Sequence, residues 1–298
     1  MFNKRVKDKE NRERFSPITI AMLAVLAIYA VTLFMPLLWA LMTAFKNQSD
    51  FRVNIIGFPE KWVWNFSFVF KKFTVPVATP EGEKLVGMGM MYVNSFLYAI
   101  GCAFFNTLVS CITAYMCARF PYKFSKIVHT VVIVAMIVPI VGSLPAEIQL
   151  AKNLHIYGHI WGLWLMKANF LGMYFLVFYG IFKSLPMAYT EAAKIDGAGN
   201  LSVLIRIVLP LVRNTFFTVM IILFIGFWND YQTPLIYMPS YPTVAIGMFR
   251  MASTNINSLS TIPMRMACAM LMLIPILVVF LLTHKRLLGN LTMGGIKG

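Results

Sequence analysis

Charged residues are scarce in this chain of 298 residues, and acidic residues are the scarcest of them. Only 12% of the residues are charged, with 26 Lys and Arg against 11 Asp and Glu, whereas 59% are hydrophobic. The mean hydropathy is +0.73. One soluble core could not enclose so much apolar surface. The composition therefore excludes an ordinary soluble globular protein and indicates a protein that lies in a lipid bilayer.

The sequence also lacks the motifs of common nucleotide- and metal-dependent enzymes. No Gly-Lys dipeptide occurs, which excludes a Gly-x-x-x-x-Gly-Lys-Ser/Thr phosphate-binding loop, and no zinc-protease motif is present. The 4 cysteines form no Cys-x-x-Cys pair, and the 4 histidines show no metal-ligand pattern. We expect a chain that is not itself an enzyme and that holds no cofactor and no metal.

Long apolar runs are what the sequence has in abundance. Each of them reaches or nearly reaches the roughly 20 residues that a helix needs to cross about 30 Å of hydrocarbon. A lipid-exposed backbone must satisfy its own hydrogen bonds, and the runs lack the alternation of a transmembrane barrel. We therefore predict an all-α membrane protein with six transmembrane helices. The runs cover residues 18–45, 91–118, 127–145, 160–182, 214–238 and 262–283.

Basic residues indicate the orientation of these helices. They concentrate in both terminal tails, in the segment between the second and third runs, and in residues 183–213. By the positive-inside rule we predict that both termini are cytoplasmic. The domains are then a cytoplasmic tail 1–17, a six-helix domain 18–283 and a cytoplasmic tail 284–298. Within the six-helix domain we predict an external loop 46–90 and a cytoplasmic loop 183–213.

The net charge of +15 does not indicate a nucleic-acid partner. The basic residues are scattered over loops on both faces, and no nucleic-acid-binding module is present. Basic flanks of membrane helices favour anionic lipid headgroups, so the expected partner of this charge is the bilayer.

The cytoplasmic loop has helix-forming and helix-ending residues in a regular order. Pro186 suits a first helical turn, and Gly197 and Gly199 supply left-handed positions that end a helix. Asn200 can then cap a second helix, and Pro210 is expected to break the chain before the next span. We predict two short helices at an angle on the membrane surface, forming a compact knob that suits docking into a groove of another protein.

This loop resembles the cytoplasmic coupling loop of permease subunits from binding-protein-dependent ABC importers. The resemblance rests on Glu-Ala-Ala at 191–193, Gly197 four residues later, and Ile-Val-Leu-Pro at 207–210. It implies a fold like that of type I ABC importer permeases. It also implies that the loop seats in a cleft of an ATPase subunit and carries that subunit's movement into the membrane. The residues implied in coupling are Glu191, Ala192, Ala193, Asp196 and Gly197.

The resemblance further implies the partners and the location of the chain. A second, similar permease subunit would complete the pathway, two cytoplasmic ATPase subunits would bind ATP and Mg, and an external solute-binding protein would deliver substrate. The chain would be a multi-pass protein of a bacterial or archaeal cell membrane. The tail from Gly289 to Gly298 resembles that of maltose-type and multiple-sugar permeases, in the six-helix partner subunit. It implies a sugar or oligosaccharide as substrate.

Two external segments carry candidate substrate contacts. Asn229, Asp230, Tyr231 and Gln232 form a polar cluster at the outer end of the fifth run, which either lines the pathway or belongs to an interfacial aromatic belt. The loop after it carries residue types that stack on or hydrogen-bond a sugar. These are Tyr241, Arg250, Asn255 and Asn257.

Several alternatives stay open at this point. The aromatic external loop folds over the membrane surface, contacts a soluble partner, or packs on itself as a small cap, and a cap and a partner contact can coexist. A secondary transporter would place coupling acids near the middle of the bilayer and would show two related halves, and the sequence shows neither. A membrane assembly subunit without a pathway is the third functional class.

Overall fold

The structure, a computed structural model, describes residues 16–79, 82–120, 122–138, 142–253 and 261–293. It confirms the predicted helical fold and adds one β-hairpin. Four helices in the described part of the chain are long and apolar enough to cross a membrane: Pro17–Ala44, Met88–Arg119, Asn200–Asn229 and Ile262–His284. The chain divides into two compact units, Met1–Phe66 with Thr261–Met270, and Ser67–Ser260 with Leu271–Gly298.

The first unit contains helices α1 (Pro17–Ala44) and α2 (Gln48–Val53). Helix α1 begins with a proline at its first turn and consists almost entirely of apolar residues. The carbonyl groups at its end are satisfied by Asn65, whose Nδ2 donates to the carbonyls of Ala44 at 2.8 Å and Lys46 at 2.7 Å. Asn65 is buried. Its amide therefore closes the chain back onto the end of α1.

The aromatic residues of this unit pack on one another. The Phe45 ring lies 5.1 Å from the Trp62 ring, 5.6 Å from Trp64 and 5.2 Å from Phe66. Trp62 and Trp64 nevertheless remain 65% exposed. These contacts favour a self-packed cap for the first part of the predicted external loop, and the exposed indoles leave a surface for a partner or for lipid headgroups.

Helix α3 (Asn65–Lys72) begins in the first unit and ends in the second, which continues with an antiparallel hairpin of β1 (Thr74–Thr79) and β2 (Gly82–Gly87). The sequence did not lead us to expect strands in an all-α fold. Alternate residues Val75 and Val77 are buried, and Val75 pairs with Val86 across the hairpin. Alternating β-branched residues of this kind suit a half-buried strand.

Helix α4 (Met88–Arg119) is the central element of this unit, since helices on several sides pack against it. After it come α5 (Lys123–Ile137), α6 (Leu144–Asn153), α7 (Ile160–Lys167) and α8 (Met173–Ser184). The expected third span, 127–145, falls on α5 and the start of α6, with 139–141 outside the described residues. Pro139 belongs to that gap.

The prediction of one continuous helix over 160–182 is wrong, because the chain leaves the helix between α7 and α8. Side chains of α4 satisfy the carbonyl groups at this break. Asn106 Nδ2 donates to the Lys167 carbonyl at 2.9 Å, and Ser110 Oγ donates to the Asn169 carbonyl at 3.3 Å. A break in apolar surroundings persists only where a neighbour supplies such partners.

The remaining elements are α9 (Ala188–Ile195), α10 (Asn200–Val203), a π-helical segment Leu204–Val208, and α11 (Leu209–Asn229). They are followed by α12 (Gln232–Tyr237), α13 (Val244–Ser253) and α14 (Ile262–Met293). The predicted bounds of the span over 214–238 are wrong, because the helical path begins earlier, at Asn200, and ends earlier, at Asn229.

The break expected at Pro210 is also wrong, since the helical path continues from Asn200 to Asn229. Proline lacks an N–H group, and its ring clashes with the carbonyl four residues earlier. Here that carbonyl belongs to Arg206, which lies in the wider π-helical segment. The extra residue in this turn relieves the clash, so the helix continues through the proline.

Pro275 lies within α14 and leaves the carbonyl of Leu271 without its usual helical donor. The Tyr92 hydroxyl of α4 donates to that carbonyl at 2.7 Å. Trp228 Nε1 donates to the next carbonyl, that of Met272, at 3.2 Å. The proline is therefore accommodated by direct side-chain partners from two neighbouring helices.

We expect Tyr92→Phe to destabilise the protein by about 1–2 kcal/mol, because it strands the Leu271 carbonyl in an apolar environment. The ring and its packing are kept. The measurement is thermal unfolding of the purified full-length chain in detergent. Pro275→Ala restores the missing N–H group, so Tyr92→Phe should be nearly neutral in the Pro275→Ala background. An equal loss in both backgrounds would contradict the assignment.

Candidate functional site

One end of the second unit carries a projecting surface formed by α9, α10 and the turn between them. We call residues 186–203 the surface knob. Gly197 has φ +81°, in the left-handed region that favours glycine. Its N–H donates to the Lys194 carbonyl at 3.0 Å, and the N–H of Ala198 donates to the Ala193 carbonyl at 2.9 Å. This is a Schellman motif, and it ends α9 as the sequence predicted.

The other two details predicted for this turn are wrong. Gly199 has φ −68° and ψ 159°, which is ordinary extended backbone, and it occupies the capping position of α10. Asn200 is the first residue of α10 and makes no capping hydrogen bond there. The reversal of direction is complete after Gly197, so a second left-handed residue is not needed.

The surface knob has one buried face and one exposed face. Thr190 and Ala193 are buried, and Ala193 packs in a cluster with Val203 and Leu204. Ala193 therefore holds the two short helices together and is not offered to a partner. The other residues implied in coupling, Glu191, Ala192, Asp196 and Gly197, are exposed.

The exposed face of the surface knob carries large hydrophobic side chains. Ile195 is 86% exposed, Leu201 is 69% exposed and Tyr189 is 52% exposed. They lie on the same two short helices as the Glu191 carboxylate. Apolar side chains grouped with a few polar residues are typical of a protein interaction surface.

The surface knob is tied to the end of α4. Arg119 Nη2 donates to the Leu185 carbonyl at 2.9 Å, and Arg119 Nη1 contacts the Met187 sulfur. Lys194 Nζ lies 5.9 Å from the centre of the Phe120 ring. The sequence analysis treated Arg119 only as a marker of orientation. Its place in the sequence, directly after the apolar run 91–118 and two residues before Pro121, was the available signal for a fixed contact.

Asp230 lies at the opposite end of α4, at the junction of α11 and α12. The sequence predicted that Asp230 lies inside a helix, and this prediction is wrong. The Tyr98 hydroxyl donates to Asp230 Oδ2 at 2.9 Å, and the backbone N–H of Thr233 donates to Oδ1 at 3.1 Å. Tyr98 is 1% exposed and belongs to α4. Asp230 therefore fixes the start of α12, and Tyr98 is a functional candidate that the sequence analysis missed.

The neighbours of Asp230 differ in what they offer to solvent. Asn229 and Gln232 are exposed. The Tyr231 ring stacks on Phe249 of α13, with ring centres 4.4 Å apart and an angle of 14° between the planes. Phe249 thus covers one face of the Tyr231 ring. Asn229 and Gln232 are the members of this cluster best placed to line a pathway.

Helix α12 is clamped by the segment between α6 and α7. Gly158 N–H donates to the Tyr237 carbonyl at 2.8 Å, and the Tyr157 hydroxyl donates to the Ile236 carbonyl at 3.0 Å. The Tyr237 hydroxyl donates to Glu147 Oε2 at 3.0 Å. Hydrogen bonds from Ser143 and Tyr237 lower the pKa of the Glu147 carboxyl. The structure thus supports α12 from two sides, α4 and α6.

The candidate contacts in the following loop are only partly described. Tyr241 is 40% exposed. Arg250 Nη1 donates to the Pro76 carbonyl of β1 at 2.7 Å, so this side chain joins α13 to the hairpin. Asn255 and Asn257 lie outside the described residues. Among the described residues, no group of three or more His, Cys, Asp and Glu could hold a metal ion.

Comparison with known proteins gives consistent matches. Residues 106–288 match the family model described as Binding-protein-dependent transport system inner membrane component. The chain is 26% identical over 276 residues to the melibiose/raffinose/stachyose import permease protein MelC of Bacillus subtilis (strain 168), a match that covers 91% of this chain and 94% of MelC. It is 25% identical over 278 residues to the diacetylchitobiose uptake system permease protein NgcG of Streptomyces coelicolor, covering 91% and 86% of the two chains.

A solved structure shares the fold. It is described as the crystal structure of a bacterial ABC transporter involved in the import of the acidic polysaccharide alginate. The TM-score is 0.73 with 17% sequence identity, over 90% of this chain and 95% of that chain. The likeness shows that the two chains share a fold over nearly their whole length.

We expect a cysteine at position 229 or 232 to react with a positively charged, water-soluble thiol reagent, because both native side chains are exposed at a polar junction. The background lacks Cys102, Cys111, Cys117 and Cys268. Ser95→Cys is the matched control, since Ser95 is 2% exposed and its Oγ accepts the N–H of Val244 at 2.8 Å. Rapid labelling of 229 and 232 only by an apolar maleimide would favour the interfacial belt over the pathway.

Proposed function

Because this chain belongs to the family of binding-protein-dependent transport system inner membrane components, we propose that it forms half of the pathway through which an ATP-driven importer moves a sugar or oligosaccharide. The chain is the transmembrane subunit of the importer. The observation that carries the proposal is the surface knob, a fixed and partly apolar projection at one end of α4. A partner ATPase subunit would bind ATP and Mg²⁺ and dock on this projection.

The surface knob has the features that a coupling element requires. Its buried residues and the Arg119 contact bind it to the transmembrane part, so a displacement of the knob moves the end of α4 with it. Its exposed face offers the Glu191 carboxylate among apolar side chains. A carboxylate paired with a cation in a desolvated cleft fixes the register of docking, and removing it costs on the order of 2–5 kcal/mol.

The carbohydrate assignment rests on the relatives. MelC and NgcG are named for the import of melibiose, raffinose and stachyose and of diacetylchitobiose, and both matches span nearly the whole chain. The family description implies a binding protein as partner. A second, similar permease would supply the other half of the pathway, and two ATPase subunits would dock on the two knobs.

The orientation in the cell follows from the same proposal. The surface knob and both termini would be cytoplasmic, and the hairpin, α12 and α13 would face outward in a bacterial or archaeal cell membrane. Asn229 and Gln232 would then lie at the outer end of the pathway, where a docked binding protein releases its sugar.

Reconstitution separates this proposal from the two alternatives. Uptake into proteoliposomes that requires the ATPase, the second permease and the binding protein supports the importer. Gradient-driven uptake by this chain alone would show a secondary transporter, and absence of flux with all partners present would show an assembly subunit.

We expect Gly197→Val to uncouple ATP hydrolysis from uptake. A side chain at φ +81° costs about 1–2 kcal/mol, and the turn between α9 and α10 must distort to avoid it. The matched control is Gly199→Val. Neither glycine has a neighbouring atom within 4 Å of an added Cβ, but Gly199 has ordinary extended backbone and should tolerate the change.

We also expect Glu191→Ala to weaken binding of the ATPase while membrane insertion persists, because it removes the exposed carboxylate from the knob. The measurements for both sites are co-purification of the ATPase and substrate-stimulated hydrolysis in proteoliposomes. If Gly197→Val and Gly199→Val couple equally well, the loop is a connector and not a coupling element.

A further inference from the structure

A cavity lies at the hairpin end of the second unit, away from the residues of the surface knob. It has a volume of about 410 Å³ and lies between β2, the first turns of α4 and the loop after α12. The side chains of Lys84, Asn94, Ser240 and Tyr241 line it together with apolar residues of the hairpin. The volume is in the range of small-molecule binding sites.

The lining of this cavity differs in chemistry from that of the other large grooves in the described residues. The groove along α1, with Phe34, Trp39 and Ile56, and the groove along α5 are almost wholly apolar, which suits lipid chains. The hairpin cavity instead combines an ammonium, an amide and a hydroxyl with the ring of Tyr241, which is 40% exposed. Hydroxyl groups of a sugar need donors and acceptors, and its C–H faces pack well on an aromatic ring.

The cavity is preorganised by hydrogen bonds around it. Asn94 Nδ2 donates to the Pro242 carbonyl at 3.0 Å, and Tyr241 N–H donates to the Met238 carbonyl at 3.0 Å. Arg250 ties α13 to β1 on the other side of the hairpin. The backbone that carries Tyr241 is therefore held in a hydrogen-bonded turn, so little backbone ordering is required when a ligand binds.

The position of the cavity relates it to the candidate pathway. Asn94 and Tyr98 are four residues apart on α4, on the same helix face and separated by a rise of about 6 Å. Tyr98 donates to Asp230 at the start of α12. The cavity thus lies one helical turn from the Asp230 junction, on the side toward the hairpin.

We propose that this cavity is an external subsite for one sugar ring, occupied before the substrate passes the Asp230 junction. Tyr241 stacks on the ring, Lys84 and Ser240 are the exposed polar groups that face its hydroxyls, and the buried Asn94 holds the loop that carries Tyr241. The proposal rests on the proposed carbohydrate import, and it assigns to this chain a substrate contact outside the membrane span. A docked segment of the binding protein is the competing occupant.

The test places the photoreactive amino acid p-benzoylphenylalanine at position 241 in the complete transporter, with both permeases, the ATPases and the binding protein in proteoliposomes. The probe is tritiated melibiose, raffinose or maltotriose, whichever the wild-type complex takes up. We expect irradiation during uptake to attach tritium to the peptide that contains position 241. The same photoreactive residue at Glu83, which is exposed on β2 but not part of the lining, should capture none.

Substitution provides the second measurement. We expect Tyr241→Ala to lower the uptake rate about threefold to tenfold at saturating binding protein, and Tyr241→Phe to retain the wild-type rate, because the ring supplies the contact. Co-purification of the ATPase and partner permease controls for assembly. If the Tyr241 ring had only a structural role, the photoreactive residue at position 241 would capture no tritiated sugar.

The outcomes separate the two proposals. Wild-type uptake with no sugar label at 241, or with label on the binding protein in its place, overturns the subsite and leaves the importer intact. Absence of uptake of all three sugars by the wild-type complex contradicts the carbohydrate import itself, and the subsite with it.

Discussion

The structure depends on one constraint, that each backbone polar group in an apolar environment needs a hydrogen-bond partner. The described helices are broken or distorted at several points, and at two of them, the break before α8 and Pro275, side chains of α4 and α11 supply the partners. Asn106 satisfies the break before α8, Tyr92 satisfies the carbonyl released by Pro275, and Trp228 donates to the following carbonyl. Polar residues on α4 are therefore what allow its neighbours to be irregular.

A side chain of a neighbouring helix also donates to a backbone carbonyl of α4. Trp164 Nε1 donates to the Leu97 carbonyl of α4 at 2.9 Å, and its indole occupies the space in which a Cβ at Gly101 would lie 2.1 Å from Nε1. Gly101 is thus a close-approach glycine. It lets α7 pack tightly on α4 immediately before the chain leaves the helix at Lys167.

The features that sequence reasoning predicted are those set by local chemistry. The apolar runs gave the helical membrane fold, and Gly197 ended α9 because the left-handed conformation is a property of the residue itself. The breaks at residue 168 and at Asp230 could not be predicted in this way, since they depend on partners 59 to 132 residues distant in sequence, Ser110 and Tyr98 among them. The break predicted at Pro210 was wrong because the effect of a proline depends on the preceding turn. That turn is π-helical here, which the local sequence did not indicate.

In the candidate site, too, local features could be predicted from the sequence and long-range contacts could not. The residues of the surface knob were found because their spacing is local. The burial of Ala193 could not be predicted in this way, because it depends on packing with Val203 and Leu204. Asp230 was identified because acidic residues are rare in the apolar runs. Its partner Tyr98 was not identified, because the sequence does not distinguish it from the other aromatic residues of the run 91–118. Tyr98 and Arg119 are 21 residues apart on α4, about 31 Å along one rigid helix. One element therefore contacts both the surface knob and the Asp230 junction.

The π-helical segment Leu204–Val208 has a consequence for the evolution of the chain. Its hydrogen bonds span five residues, so the turn holds one residue more than an α-helical turn. In a continuous α-helix, one inserted residue would rotate everything on one side by about 100° relative to the other. Because the π turn contains the extra residue locally, the knob side and the membrane side of the helix keep independent registers. Lineages could gain or lose a residue here without turning the buried face of α11 toward lipid.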